Sequence, residues 1–131
     1  MHFSNYLEVE LINATLRGVS YASPSGVYIS LLSDLSDDGD TFTEIDDATT
    51  NYIRQLANFS EPVSGSGITE LDTVIEFPTA TEAWGTVTYL GVHDAEASGN
   101  LLYWGPLDLS RVVSSGNTFI LASGNVTITL D

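Results

Sequence analysis

The segment WGTVTYLGVHDAEASGNLLYWG, residues 84–105, decides the fold because it contains two apolar strands joined by a turn. Residues 84–93 show the two-residue period of a β-strand, and residues 101–105 form a second apolar run. The tripeptide SGN at 98–100 is typical of a turn. The segment therefore predicts a β-hairpin.

Shorter runs of the same kind lie on both sides of this hairpin. Residues 27–32, VYISLL, are largely apolar on both faces and predict a central strand. Strict alternation in the first hairpin strand places Val87 and Val92 on opposite faces. Further strands are predicted at residues 51–59, 68–77, 111–113, 118–121 and 126–130. Seven or eight short strands with turns between them predict an antiparallel β-sandwich of the jelly-roll or immunoglobulin-like type.

Residues 4–18, SNYLEVELINATLRG, predict one α-helix ahead of the sandwich. Asn5 and Glu8 have the spacing of a capping box, with Ser4 as a competing N-cap. Gly18 suits the left-handed residue that ends a helix. We therefore expect a single domain over residues 1–131, with a helix up to residue 18 and the sandwich from residue 19.

Apolar residues of this helix form two stripes on opposite sides at about 100° per residue. The first stripe consists of Phe3, Leu7, Leu11 and Ala14 and is expected to close one side of the sandwich. The second stripe consists of Val9, Ile12 and Leu16. A second stripe is either buried between the sheet and a loop of the same chain or forms a subunit contact. We expect the subunit contact.

Composition excludes several classes of protein. The absence of cysteine excludes disulfides, zinc–thiolate sites and a cysteine nucleophile. The chain has 18 acidic residues, three arginines and no lysine, and a net charge of −15. Binding to nucleic acid or to an anionic membrane is therefore disfavoured. The first residues lack the pattern of a signal peptide, and no apolar run reaches the ~20 residues of a membrane helix.

The acidic segment at residues 33–50 predicts an exposed loop, with a short extended piece around 41–44. Asp34, Asp38 and Gly39 match positions 1, 5 and 6 of a calcium-binding loop. The final position is Ile45 instead of the bidentate glutamate. A solvated acidic loop is therefore favoured, and Asp34 and Asp38 are only weak candidates for a cation site.

No arrangement of residues predicts catalysis. His93-Asp94 has no serine or cysteine nucleophile in a recognisable context. No catalytic residue, cofactor or small-molecule substrate is therefore expected. Arg54 and Arg111, in so acidic a chain, are expected to pair with carboxylates.

Four aromatic residues on the hairpin leave three readings open. Core packing, a subunit contact and a glycan platform all use such side chains. The four are Trp84, Tyr89, Tyr103 and Trp104. Of these, Tyr89 and Trp104 are the candidates for an interface.

Several blocks together resemble a family of small tailed-bacteriophage proteins that are usually labelled phage tail fibre protein. The most specific blocks are SNYLE at 4–8, FPTATEAWGTVT at 77–88 and GNLLYWGPL at 99–107. The resemblance covers nearly the whole chain in order. It implies a non-enzymatic structural protein of the virion.

Two roles fit this resemblance. One is a capsid decoration (cement) protein that binds the major capsid protein and copies of itself on the outer head, after assembly in the host cytoplasm. The other is a tail-fibre or adhesin component that recognises glycans on the host surface. The chain is short, lacks a repeat that would build a shaft, and is acidic, so we expect decoration.

Overall fold

The computed structural model describes residues 1–130 and is mainly β, with one α-helix at the N-terminal end and antiparallel strand pairs. The predicted fold class is confirmed at this level. The helix is α1 (Asn5–Leu16), and a 3-10 turn spans Asp37–Gly39. The ten strands are β1 (His2–Phe3), β2 (Val27–Ser36), β3 (Thr41–Glu44), β4 (Gln55–Ala57), β5 (Ile68–Glu70), β6 (Ile75–Glu76), β7 (Gly85–His93), β8 (Leu101–Val113), β9 (Ile120–Leu121) and β10 (Thr127–Thr129).

The predicted hairpin, β7 and β8, lies inside the largest sheet. This sheet has the order β1-β8-β7-β2-β3, and β4 also pairs with β2. The two strands predicted at 101–105 and 111–113 are one 13-residue strand, β8. The register between β7 and β8 shifts between Val87 and Tyr89, and Tyr89 lies opposite Pro106. Proline has no N–H to donate to a strand partner, so an irregularity at this point is expected.

Val87 departs from the alternation that the sequence predicts. Val87, Leu90 and Val92 are all buried in one core, because the pairing register shifts between Val87 and Tyr89. The Thr88 hydroxyl in this stretch donates a hydrogen bond to the backbone oxygen of Ser33, at 2.7 Å. The prediction that Val87 faces away from Val92 is therefore wrong.

Two short ladders form a second layer over one face of the large sheet. β5 pairs with β10, and β6 pairs with β9. The strand predicted at 68–77 is thus two strands, and the strand predicted at 51–59 is only Gln55–Ala57. The core between the layers includes Ile29, Leu31, Leu71, Phe77, Val92, Phe119 and Val126. Two layers around one core are consistent with the predicted sandwich, although its second layer is two separate ladders.

Much of the acidic segment is ordered as a β-hairpin, and the predicted loop is in part wrong. β2 continues to Ser36, and β3 pairs with it, so that Leu35 lies opposite Phe42. The extended piece predicted at 41–44 is confirmed as β3. The alternation of half-buried Leu35 and Phe42 with exposed polar residues explains how this acidic stretch forms strands.

Gly39 is buried in the turn of this hairpin and has a φ of +90°. A Cβ atom at this position would lie 2.8 Å from Cδ2 of Leu101. The turn therefore packs closely on β8 and requires glycine.

No helix within residues 1–130 is long and apolar enough to span a membrane.

Candidate interaction surface

Ser4 fixes the start of α1 to the large sheet. Its hydroxyl accepts a hydrogen bond from the Leu7 N–H at 3.2 Å and donates one to the Leu101 carbonyl at 2.5 Å. Its own N–H donates to the Leu102 carbonyl at 2.9 Å. Ser4 is therefore the N-cap and is buried.

The predicted capping box beginning at Asn5 is wrong. Asn5 is the first residue of the helix, and its side-chain amide donates to the Asp37 carbonyl and to the Asp40 carboxylate, both at 3.1 Å. A serine hydroxyl can cap the helix and reach β8 at the same time, whereas Asn5 points to the 3-10 turn. Together Ser4 and Asn5 attach the N-terminal end of α1 at two places.

The C-terminal end of α1 follows the prediction. Gly18 has a φ of +67°, the left-handed conformation of a helix-ending glycine. The N–H of Val19 then returns to the Asn13 carbonyl at 3.1 Å. The helix is thus closed at both ends by local hydrogen bonds.

The two stripes of α1 have different surroundings. Leu7 of the first stripe is buried, and Phe3, Leu11 and Ala14 are half-buried. The second stripe is exposed: Val9 is 56%, Ile12 54% and Leu16 79% accessible. Burial of the second stripe between the sheet and a loop of this chain is therefore wrong. An apolar stripe on a fixed helix remains open to another molecule.

The four hairpin aromatics are divided between two environments. Trp84 lies in the core, with its Nε1–H donated to the Asn51 side-chain oxygen at 3.0 Å, and Tyr103 packs against that core. Tyr89 and Trp104 are half-buried, with ring centroids 6.1 Å apart, and His2 lies 4.6 Å from Trp104. A role for Tyr89 and Trp104 in an interface stays a prediction.

Arg54 organises a buried polar cluster that the sequence indicates only in outline. Its guanidinium donates to both oxygens of Glu44, at 2.8 and 2.7 Å. It also donates to the carbonyls of Ala95 and Ser98, at 2.9 and 2.7 Å, which lie between β7 and β8. The predicted pairing of Arg54 with a carboxylate is confirmed. We call Arg54, Glu44 and Tyr52 the Arg54 cluster.

Tyr52 completes the Arg54 cluster. Its hydroxyl donates to Glu44 at 2.6 Å and accepts from the N–H of Leu31 at 3.0 Å. Burial, and then the adjacent Glu44 charge, raises the pKa of Tyr52. Burial alone would raise the pKa of Glu44, but hydrogen bonds from Arg54 and Tyr52 lower it. The ionised carboxylate is therefore the stable form at neutral pH.

Arg111 packs on an aromatic ring, whereas Arg54 pairs with a carboxylate. Its guanidinium carbon lies 5.7 Å from the ring centroid of Phe119, a cation–π arrangement. Among residues 1–130 the one salt bridge is Arg54–Glu44. The predicted carboxylate partner of Arg111 is thus wrong, because the strand places this arginine over an aromatic ring.

A surface cleft of about 760 Å³ lies beside the Arg54 cluster. Acidic side chains, including Asp46, Asp47 and Glu96, line it. The Arg54 guanidinium is already bonded to four oxygens, so it offers little to an anionic ligand. The cleft therefore has the chemistry of a solvated surface.

The weak cation candidates are not brought into a metal site. Asp34 is exposed on β2, and Asp38 is exposed in the 3-10 turn. Within residues 1–130 no group of three or more histidine or acidic residues is placed to hold a metal ion. The Asp94 carboxylate instead accepts from the backbone and side-chain N–H groups of Asn100, which fixes the hairpin turn.

The exposed second stripe of α1, and not the acidic cleft, is thus the candidate interaction surface. The family model for podophage GP4 fiber I protein gp80 matches residues 2–129. The chain belongs to this family. No curated protein matches the chain. The resemblance to tailed-phage fibre proteins is confirmed, and membership makes the chain a structural phage protein and a component of the virion.

Proposed function

We propose that the chain is a structural subunit of the phage fibre and that it is held in the virion by burial of the second stripe of α1. The observation that carries this proposal is the exposure of Val9, Ile12 and Leu16 on a helix whose first turn is fixed to the sheet. The family description, a fibre protein, supports the place in the virion.

The physical reason is the free energy of burying apolar surface. Full burial of a side chain such as Val, Ile or Leu contributes about 1.5–3 kcal/mol. Three such side chains offset part of the cost of association, and repetition of the contact in an assembly strengthens it further. A prearranged helix also loses little conformational entropy on binding.

Capsid decoration, which the sequence led us to expect, stays a prediction with the major capsid protein as its partner. Recognition of host glycans also stays a prediction, and Tyr89 and Trp104 are the residues that it would use. The fibre description favours a place on the fibre over one on the head.

Antibody labelling of intact virions, viewed by negative-stain microscopy, tests the location. The proposal expects label on the fibres. Label confined to the head surface would contradict it and support decoration.

A phage that carries Ile12→Asp tests the role of the second stripe. We expect incorporation into virions to fall at least about tenfold, since a buried carboxylate without a partner is costly. Leu109→Asp is a matched control, because Leu109 is 77% exposed on β8 and outside α1. Equal incorporation of both variants would contradict the proposal.

A further inference from the structure

The β2–β3 hairpin folds back over the face of the large sheet that is opposite to the core, which we call the outer face. In the sheet, β2 lies between β3 and β7. Phe42 of β3 lies opposite Leu35, whereas His93 of β7 lies opposite Tyr28, seven residues away on β2. In a flat sheet these seven residues span roughly 23 Å. The ring centroids of Phe42 and His93 are 5.4 Å apart, so the hairpin bends over the outer face.

This fold-back begins and ends at fixed points. At one end, the Ser33 carbonyl accepts a hydrogen bond from the Thr88 hydroxyl of β7, at 2.7 Å. At the other end, Glu44 belongs to the Arg54 cluster. We call residues 34–43, which lie between these points, the flap. Because both of its ends are fixed to the sheet, the flap can move only as a hinged unit.

Few contacts hold the turn of the flap against the rest of the chain. The Asn5 side-chain amide donates to the Asp37 carbonyl and to the Asp40 carboxylate, and both hydrogen bonds are exposed. Gly39 rests on the Leu101 side chain. Exposed hydrogen bonds contribute less than the ladders of a sheet, because water competes for them. The flap is therefore attached more weakly than the strands beneath it are attached to each other.

The outer face carries buried polar atoms that have no hydrogen-bond partner among the described residues. They are Oγ of Ser30, both ring nitrogens of His93 and Nε1 of Trp104. Ser30 and Trp104 lie on either side of Gly91 in the ladder, and His93 follows Gly91 by two residues on β7, so the three side chains share one face. A buried polar atom without a partner destabilises the closed arrangement, and exposure to water removes that cost.

We propose that the flap opens as a unit while the sheet beneath it stays folded, and that acid favours the open form through His93. Opening requires no break in the ladders that join β2, β7 and β8. It exposes the unpartnered polar atoms and the side chain of Leu101. The proposal is independent of the proposed function, since it concerns a different surface from the second stripe of α1.

The groups around His93 set the direction of the pH effect. Burial lowers the pKa of His93 to about 4, and the Arg54 charge adds to this, whereas Glu44 and Asp94 oppose it. Tyr28 lies opposite His93 on β2. The carboxylates of the flap itself are exposed; they are Asp34, Asp37, Asp38 and Asp40.

Opening the flap couples to the uptake of one proton. In the open form the His93 ring meets water and regains an ordinary pKa of about 6.5. The open form therefore binds a proton between pH 6.5 and 4 that the closed form does not bind. Between pH 7 and pH 5 this difference raises the open population about twentyfold. Carboxylates with an ordinary pKa near 4 stay ionised in this interval, so the effect belongs to histidine.

Thiol labelling tests the opening, because the chain contains no cysteine. Ser30→Cys places a thiol beneath the flap, and Val92→Cys, at a core position on β7, is the matched control. The probe is 4,4′-dithiodipyridine, and each rate is divided by that of the same variant in urea. We expect Ser30→Cys to react at least about tenfold faster than Val92→Cys at pH 7. Equal rates would overturn the proposal. Leu101→Cys, beneath the turn of the flap, repeats the measurement if Ser30→Cys does not fold.

Two glycine variants, each combined with Ser30→Cys, test whether the flap controls this labelling. In Gly39→Ala the added Cβ lies 2.8 Å from Cδ2 of Leu101, so it should push the flap open. Gly116 has nearly the same φ, +88° against +90°, but nothing lies within 4 Å of its added Cβ. We expect labelling to rise at least about tenfold in Gly39→Ala and less than about twofold in Gly116→Ala. An equal rise in both variants would contradict the proposal.

The acid step has its own test in the same assay. Labelling of Ser30→Cys should rise about twentyfold from pH 7 to pH 5, after division by the rate in urea. Adding His93→Gln should abolish this rise, whereas adding His2→Gln, at an exposed position, should leave it unchanged. A rise that persists in His93→Gln would overturn the role of His93.

Discussion

The Arg54 cluster and the second stripe of α1 distribute polar and apolar groups in opposite ways. At the Arg54 cluster, charged groups are inside: Arg54 is 8% exposed, and four oxygens accept its hydrogen bonds. On α1, apolar groups are outside, and Leu16 is 79% exposed. A buried charge that is fully bonded fixes loops within the chain. An exposed apolar stripe contributes little to the isolated fold, so we assign stability to the first region and assembly to the second.

The largest expected effect comes from removing the charge inside. Arg54→Met leaves the Glu44 carboxylate partly buried without its cation and leaves the Ala95 and Ser98 carbonyls unbonded. We expect the free energy of unfolding to fall by about 3 kcal/mol, as for other broken buried pairs. Urea denaturation at pH 7 measures this. Arg111→Met is the matched control and should cost under about 1 kcal/mol; equal losses would show that the Arg54 cluster is not special.

Acid should weaken the same part of the molecule. Burial lowers the pKa of His93 to about 4, and the nearby Arg54 charge adds to this, against Glu44 and Asp94. Between pH 6.5 and 4 the unfolded chain therefore binds a proton at His93 that the folded chain does not. Stability is fully present above about pH 6.5 and falls by up to about 3 kcal/mol as the pH drops to 4.

Glu44 acts in the same direction. Because its pKa is lowered in the folded chain, its contribution is present above its ordinary pKa and is lost as the pH falls through the folded value. Urea midpoints between pH 7 and 4 measure the slope that His93 causes, and midpoints at lower pH add the contribution of Glu44. His93→Gln should flatten the slope above pH 4, whereas His2→Gln, at an exposed position, should keep it. The same slope in both variants would exclude His93 as the cause.

A smaller effect on stability is expected where the start of α1 is attached to the rest of the chain. Ser4→Ala removes the cap of α1 and its bond to Leu101, and should cost about 1–2 kcal/mol. Asn5→Ala loses only exposed hydrogen bonds and should cost about 0.5 kcal/mol or less. Amide hydrogen exchange in α1 measures the loss locally. A larger loss of stability for Asn5→Ala than for Ser4→Ala would contradict Ser4 as the N-cap and support the capping box predicted at Asn5.

Local patterns predicted much of this fold. The helix ends near Gly18, the hairpin turn at 98–100 and the strand period of residues 27–32 are all short-range signals, and the structure contains each element. The failures involve distant partners. Ser4 caps α1 because the carbonyls of Leu101 and Leu102 are there to accept hydrogen bonds from its hydroxyl and its N–H. Val87 is buried because a register shift changes the alternation, and that shift depends on the pairing of β7 with β8 around Pro106, which the alternation of β7 alone does not show.

The candidate surface shows the same division. Its residues could be predicted from the sequence, because the two stripes follow from helical spacing alone. Which stripe is covered depends on how α1 lies on the sheet, and Ser4 helps to determine that through a hydrogen bond to Leu101, 97 residues away in the chain. The carbonyls that Arg54 binds could not be predicted from the sequence, since every residue has a backbone oxygen and none is marked by its residue type.

The most direct test of assembly changes no residue and leaves the stability of the chain as it is. Hydroxyl-radical footprinting compares the accessibility of side chains in the isolated chain and in intact virions. If the second stripe is a contact surface, Ile12 and Leu16 are labelled at least about fivefold less in virions, while Leu109 and Val112 on β8 are labelled equally in both. Equal labelling of Leu16 in the isolated chain and in virions would contradict the central claim that this stripe is buried in the assembled phage.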